Sequence, residues 1–251
     1  MFIRNVVAGA ALAAIALYAA EAQATELITN GDFETGDYTG WTTGVEGGSS
    51  GNLFIAPNNG STSPLSVHAY QLNSSGGRFF SITDQTGPGS YSLTQSFTLA
   101  SAATVNISFQ MFANDEAGAI YNNGRDFNTI PNQNAEADIL LGSANPFTNA
   151  AGDIVSVLYG PGADNLATNP NPWTTYTSSL NLAAGTYQIR FAETDNQSYF
   201  QQGVDNVSIT TGVPEPGAWA MMLLGFGMIG ALIRANLIAR RRLAALQPAG
   251  V

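Results

Sequence analysis

The chain has 251 residues, with 18 acidic side chains against eight basic ones and a formal net charge of −10 at neutral pH. An acidic surface of this kind excludes binding to nucleic acid and to anionic lipid, and it supplies oxygen ligands for calcium. Solubility of a secreted protein is the plainer explanation of the charge. Because the sequence contains no cysteine, stability must come from core burial or from a metal rather than from disulfides.

The N-terminus has the pattern of a secretory signal peptide. Arg4 precedes an apolar run over 6–20, and Ala22-Gln23-Ala24 places small residues where signal peptidase cleaves. Residues 1–24 are therefore predicted to be removed on export, and the mature chain is predicted to begin at Thr25.

Residues 25–212 are predicted to form one all-β ectodomain. Apolar and polar residues alternate over 67–72, 91–99, 105–112 and 187–191, which is the two-residue period of a half-buried strand. Clusters of glycine, proline and asparagine separate these runs and predict turns. Many short strands joined by polar turns favour a β-sandwich, and the sequence predicts its jelly-roll form.

The last part of the chain, 213–251, has three segments of different character: an extended motif (213–220), an apolar stretch (218–239) and a basic end (240–251). At about 1.5 Å per residue, the apolar stretch is long enough for one transmembrane helix. Trp219 favours the headgroup boundary at one end of this helix. Arg240, Arg241 and Arg242 place the other end in the cytoplasm, so the preceding chain is predicted to face outwards.

Pro214 and Pro216 hold Glu215 in an extended segment just before the apolar stretch, because each proline disfavours helical geometry at the residue before it. Followed by Trp219, the apolar span and the arginines, this motif resembles the PEP-CTERM sorting signal in its variant with Trp-Ala after the motif. The resemblance implies recognition by an exosortase, an integral-membrane cysteine peptidase of Gram-negative bacteria that secrete exopolysaccharide. The alternative is an ordinary C-terminal anchor, which does not require the Pro-Glu-Pro pattern.

The two ends of the ectodomain also carry a resemblance. Residues 27–36, followed by Gly40-Trp41, resemble the opening strand of galactose-binding-like jelly rolls, and 203–209 resemble their last strand. This group includes calcium-containing carbohydrate-binding modules. Residues 82–97 resemble the ectodomains common on PEP-CTERM proteins.

The resemblance implies one structural calcium ion where the first and last strands lie side by side. The ligands expected there are Glu34 and Asp205, with Asp32 as a further candidate. Calcium takes six to eight oxygen ligands, so backbone carbonyls near Asn30 and Thr35 would have to complete the shell. The alternative is that these residues only form turns and side-chain caps.

Carbohydrate binding would use an exposed aromatic side chain on which a sugar ring stacks, with amides and carboxylates nearby to bind its hydroxyls. The candidates for this platform are Tyr70, Tyr121, Tyr199 and Phe200. The alternative is ordinary half-buried packing, which is the more frequent outcome for a tyrosine. Trp41 and Trp173 are predicted to lie in the core, because each opens a strand after turn residues.

No catalytic residue is predicted. Residues 47–51 satisfy the G-x-S-x-G pattern but lie in a Gly/Ser run with no helix after it, so they do not form a nucleophile elbow. His68 is the one histidine of the chain, which argues against a catalytic triad or a histidine-rich zinc site. Carboxylate pairs that in principle suit glycoside hydrolysis arise by chance in an acidic chain; they are Asp115 with Asp126 and Glu136 with Asp138.

The sequence therefore predicts an exported, non-enzymatic protein that an exosortase sorts to the cell surface or extracellular matrix, where its β-sandwich binds or organises polysaccharide. Signal peptidase and exosortase are its processing partners, and the C-terminal helix holds it in the inner membrane until processing. A structural matrix protein without a specific ligand is the main alternative, and a glycoside hydrolase is a further one.

Residues 113–135 are predicted to form a long loop that is either functional or poorly ordered.

Overall fold

The computed structural model describes residues 24–115, 125–160, 170–197 and 199–211, together with a helix over 216–244 whose side chains are described for 224–238. Thr25–Gly212 forms one compact unit, and the C-terminal segment belongs to another. The predicted signal peptide lies outside the described residues, apart from Ala24.

Ten strands follow one another in the described part of the first unit. They are β1 (Thr42–Val45), β2 (Gly51–Pro57), β3 (Phe79–Gln85), β4 (Gly89–Leu99), β5 (Ala103–Asp115), β6 (Gln133–Leu141), β7 (Ile154–Tyr159), β8 (Thr174–Leu182), β9 (Gly185–Asp195) and β10 (Phe200–Thr211).

The strands form two five-stranded sheets, ordered β1-β4-β9-β6-β7 and β2-β3-β10-β5-β8. Every strand pair within them is antiparallel. The prediction of an all-β sandwich is confirmed, and the jelly-roll form stays a prediction. Three of the predicted strand runs, 91–99, 105–112 and 187–191, lie within β4, β5 and β9.

The main core lies between the two sheets. Phe109 of one sheet meets Phe191 of the other edge to face, with ring centroids 5.1 Å apart. Trp41 is buried in the same cluster and donates from its indole nitrogen to the Asn30 carbonyl at 2.9 Å. The prediction that Trp41 is a core residue is confirmed.

A second apolar cluster covers the outer face of β3. Tyr70, Phe80 and Phe112 are buried there, and the half-buried Trp173 packs edge to face against both phenylalanines. Tyr70 comes from the loop before β3, so the strand predicted over 67–72 is wrong. The alternation arose because this loop places one aromatic ring inward while other side chains of the loop face solvent. Val67, for example, is 68% exposed and has a left-handed backbone conformation with a φ of 56°.

The outer face of the first sheet is polar and covered by loops. Arg190 is fully buried and donates to both Asp138 oxygens, to Glu136 and to the carbonyls of Pro146 and Thr148. Arg125 donates to the same Glu136 carboxylate. The pair Glu136 and Asp138 is therefore part of a buried ion network, in which each carboxylate is neutralised by arginine.

A helix, α1, runs over Pro216–Ala244. It contains the residues of the predicted membrane span, 218–239, but the described side chains end short of that span on both sides. No helix among the described residues is long and apolar enough to cross a membrane. The membrane span stays a prediction.

Candidate functional site

A surface pocket of about 550 Å³ lies where three loops meet at one end of the sandwich. The loop before β3, the β3–β4 turn and the β9–β10 connection each supply part of its wall. The lining residues are Leu65, Ser66, His68, Gln85, Thr86, Gly87, Pro88, Asn196, Gln197 and Tyr199.

Two aromatic rings form a stack in this pocket. The His68 imidazole and the Tyr199 phenol lie with centroids 3.4 Å apart and planes inclined by 13°. Both side chains are half-buried, so the stack remains accessible from solvent. Thr86 and Gln197 are exposed beside it and offer a hydroxyl and an amide. A flat apolar surface with hydrogen-bonding groups beside it is the arrangement that suits a sugar ring.

The loop that carries His68 is fixed by buried polar side chains of the sheet beneath it. Asp84 accepts from the backbone nitrogens of Leu65 and Ser66 at 2.5 and 3.0 Å, and from the Ser66 hydroxyl at 2.5 Å. Gln201 donates to the Ser63 and Ser66 hydroxyls at 2.7 and 3.1 Å. These contacts hold the loop in one arrangement, which lowers the entropy lost when a ligand binds.

The four residues predicted to form the aromatic platform have different surroundings. Tyr199 lines the pocket. Tyr70 is 2% exposed and donates its hydroxyl to the Pro57 carbonyl at 2.6 Å, and Phe200 is fully buried in the main core. Neither ring can stack on a sugar, so these two predictions are wrong: their apolar surface is used in packing. Tyr121 lies outside the described residues.

His68 belongs to the stack, but the sequence did not indicate it as a ligand contact. The alternation over 67–72 predicted a strand at His68, and its partner Tyr199 is far away along the chain. A local pattern carries no signal for a ring contact that exists only after β9 and β10 have brought the two loops together.

A second depression, of about 460 Å³, lies over β5, β8 and β10. Serine, threonine and asparagine side chains line it together with Ile107, and it contains no aromatic ring among its described lining residues. It therefore lacks the stacking surface that makes the first pocket suitable for sugars.

The predicted calcium ligands come close enough together to interact electrostatically. Asp205 is 1% exposed, and its burial raises its pKa to about 7. The charges of Asp32 and Glu34 raise this pKa further, whereas hydrogen bonds from Asn206 and Asn73 oppose the shift.

Glu34, in contrast, already has partners. It accepts from the backbone nitrogens of Arg78 and Phe79 at 2.5 and 3.1 Å, and Arg78 Nε lies 3.4 Å away. The Arg78 backbone bond is the main cause that lowers the Glu34 pKa. The described residues contain no group of three or more carboxylate or imidazole side chains placed to hold a metal. Calcium at this position stays a prediction, and Glu34 would have to exchange hydrogen bonds to serve as its ligand.

The segment 47–51 forms a turn between β1 and β2, with Ser49 donating to the Ser90 carbonyl at 3.3 Å. No helix follows it, as expected from the sequence. The serine therefore does not sit on the strand-to-helix turn that a nucleophile elbow requires.

Comparison with known proteins places the C-terminal part of the chain in a defined class. Residues 212–242 match the family described as PEP-CTERM protein-sorting motif. Such a motif implies export, an exosortase and sorting to the cell surface. The chain is thus an all-β sandwich protein that carries a PEP-CTERM sorting motif at its C-terminus. Within that motif, Pro214 and Glu215 lie outside the described residues; Pro216 begins α1, and Trp219, Arg240, Arg241 and Arg242 lie on it without described side chains.

Among solved structures, the sandwich is similar to the enzymatically active domain of tailspike protein 4 from bacteriophage CBA120, with 13% identity and a TM-score of 0.46. The matched region covers 74% of this chain and 21% of the phage chain. The carbohydrate-binding module TmCBM61, solved with β-1,4-galactotriose, gives 12% identity and a TM-score of 0.43 over 75% of this chain and 99% of the module.

A third similar structure is the Stig cyclase Fisc from Fischerella sp. TAU, with 16% identity and a TM-score of 0.44 over 77% of this chain and 100% of the cyclase. No curated protein matches the chain.

Proposed function

We propose that this protein is a non-catalytic polysaccharide-binding protein of the cell surface or extracellular matrix, and that the pocket with the His68–Tyr199 stack is its binding site. The observation that carries the proposal is the stacked pair itself: a flat ring surface, open to solvent, on a loop that buried side chains hold in place. Sugar rings bind such surfaces through their apolar faces, while amides and hydroxyls bind their polar groups.

The lining of the pocket supports binding rather than hydrolysis. Glycoside hydrolysis needs two carboxyl groups on either side of the scissile bond. The described lining residues include neither aspartate nor glutamate. Asp84 lies beneath the loop, but its oxygens accept hydrogen bonds from Leu65 and Ser66.

Sorting would deliver this binding site to its ligand. After export by the signal peptide, the C-terminal helix would retain the chain at the inner membrane of a Gram-negative bacterium until an exosortase processes it near Glu215. Release would then place the sandwich on the cell surface or in the exopolysaccharide, where the pocket would bind polysaccharide.

The test is a glycan array probed with the full chain in detergent, with affinity then measured for any glycan that binds. Tyr199→Ala should weaken binding roughly two- to tenfold, because an aromatic stacking contact contributes about 0.5–1.5 kcal/mol. Tyr199→Phe keeps the ring and should retain most of the affinity. Val157→Ala, an exposed position on β7 outside the pocket lining, is the matched control.

Two results would overturn the proposal. If the folded chain binds no glycan, the sandwich is a structural matrix protein. If Tyr199→Ala binds as tightly as the unmodified chain, the site lies elsewhere.

A further inference from the structure

The interior of the sandwich contains a second set of carboxylates, beneath the pocket. Asp115, Glu193 and Asp195 are at most 1% exposed. Glu193 follows the core residues Ile189 and Phe191 at the two-residue period of β9, so it faces the other sheet as they do. Neither the proposed sugar site nor the predicted calcium site uses these residues.

Hydrogen bonds and strand register show that the residues form one cluster. Gln85 donates from its amide nitrogen to Asp195 at 3.0 Å, and Gln133 donates to Asp115 at 2.9 Å. Gln133 pairs with Asp195 across β6 and β9. Tyr91 pairs with Glu193 across β4 and β9. Burial is the main cause that raises the Tyr91 pKa, and the charge of Glu193 is the second.

Several oxygen atoms of this cluster are buried without a well-placed donor. The Gln85 side chain and the Gln202 backbone interact with the Glu193 carboxylate, but no donor among the described residues meets either of its buried oxygens at hydrogen-bond distance and angle. The amide oxygens of Gln85 and Gln133 are also buried without a partner. Rotating either amide group by 180° would exchange its oxygen and nitrogen. The oxygen would then face the carboxylate to which the nitrogen now donates, so the rotation would not remove the unpaired acceptors. Four orphaned oxygens in one buried cluster are costly unless something positive meets them.

Glu193 forms no ion pair with the described arginines, whose ion pairs go to Glu34, Glu136 and Asp138, and the sequence has no lysine. A fully buried carboxylate without an ion pair must either take up a proton or meet a cation.

We propose that this cluster binds one hard divalent cation of the calcium type, held by the carboxylates of Glu193 and Asp195 and by the amide oxygens of Gln85 and Gln133. Calcium prefers oxygen ligands of this kind, and the set contains neither sulfur nor imidazole for zinc or copper. It contains two carboxylates, consistent with the lack of a three-carboxylate group among the described residues. Gln85 also lines the surface pocket, which gives an ion a route from solvent.

The test uses the full chain in detergent at pH 7.5, first stripped with chelator and then titrated with calcium. Calcium should raise the unfolding temperature of the unmodified chain, because it binds only the folded form. Glu193→Gln keeps the shape of the side chain but removes its charge, and it should weaken calcium binding by at least about tenfold. Asp205→Asn is the matched control, which removes a buried carboxylate from the other predicted site.

Terbium, which substitutes for calcium and luminesces when a nearby tyrosine is excited, gives a second readout that does not depend on stability. Its emission should fall in Tyr91→Phe, because Tyr91 lies opposite Glu193, and should persist in Asp205→Asn. The proposal is overturned if calcium changes neither unfolding nor terbium emission, or if Glu193→Gln binds calcium like the unmodified chain. It is also overturned if Asp205→Asn alone abolishes binding. Glycan binding is measured separately, so failure here leaves the sugar site untouched.

Discussion

Replacing Asp205 with asparagine should change how stability depends on pH. Burial raises the pKa of Asp205 from 3.8 to about 7 in the folded chain. Below pH 3.8 the group is protonated in both the folded and unfolded states. Between about pH 4 and pH 7 the folded state retains a proton that the unfolded state has released, so stability falls as the pH rises through this window.

The size of the effect follows from the shift. One pKa unit corresponds to about 1.36 kcal/mol, so a shift of roughly three units contributes on the order of 4 kcal/mol of lost stability between pH 4 and pH 7. Asparagine resembles the protonated acid and does not titrate. Asp205→Asn should therefore be much flatter in this window than the unmodified chain.

The measurement is the free energy of unfolding in urea at several pH values from 4 to 7.5, in chelator. Other buried acids contribute the same slope to both proteins, so the difference between them isolates Asp205. Asp37→Asn is the control: hydrogen bonds from Thr39 lower the Asp37 pKa below 3.8, so this residue loses its contribution to stability only below about pH 4, and the variant should keep the slope of the unmodified chain over the measured range. Equal slopes for the unmodified chain and Asp205→Asn would refute the reasoning.

Repeating the series with calcium tests the predicted ion at the junction of the first and last strands. A cation beside Asp205 stabilises the charged carboxylate, so calcium should flatten the slope of the unmodified chain more than that of Asp205→Asn, in which only the cluster around Glu193 remains to bind an ion. If calcium leaves both slopes as they were in chelator, no ion binds at Asp205.

Two further predictions concern the ion network and the tail. Arg190→Met leaves Asp138 and Glu136 buried with less positive charge, so the free energy of unfolding in urea should fall by about 3–5 kcal/mol; a loss below about 1 kcal/mol would show that the network is not required. Replacing Pro214, Glu215 and Pro216 by alanine should leave the sandwich folded but retain the protein in the membrane fraction, as measured by fractionation and blotting. If this variant were sorted in the same way as the unmodified chain, the role of the motif would be contradicted.

The sequence was informative where one local rule decided the structure. β4, β5 and β9 were predicted because one side of each strand lies in the apolar core and the residues alternate accordingly. The segment 67–72 alternates as well, yet it is a loop, because it places Tyr70 under the outer face of β3. Alternation alone does not distinguish a strand from a loop that packs one side chain.

β6 shows the opposite failure. Its sequence, QNAEADILL, contains few large apolar residues, yet all but its last residue are buried. One side faces the core, and on the other side Arg190 and Arg125 neutralise Glu136 and Asp138 beneath the loops. A strand with two buried faces, one of them polar, has no period-two pattern in its hydrophobicity, and its burial depends on partners that lie far away in the sequence.

The buried carboxylates of this chain are stabilised in different ways, and the difference explains where cations are expected. Glu136 and Asp138 have arginine partners, and the charge of Arg190 opposes the rise that burial causes in the Asp138 pKa. With three described arginines in the sandwich and no lysine in the chain, no basic side chain remains for Asp205 or for Glu193. Both have raised pKa values as a result of burial and of neighbouring acids. In an exported acidic protein, the charge of these buried carboxylates can be removed by protons or balanced by metal ions. Only a metal ion leaves the carboxylates charged at neutral pH. Measurements in chelator and in calcium therefore separate the two explanations.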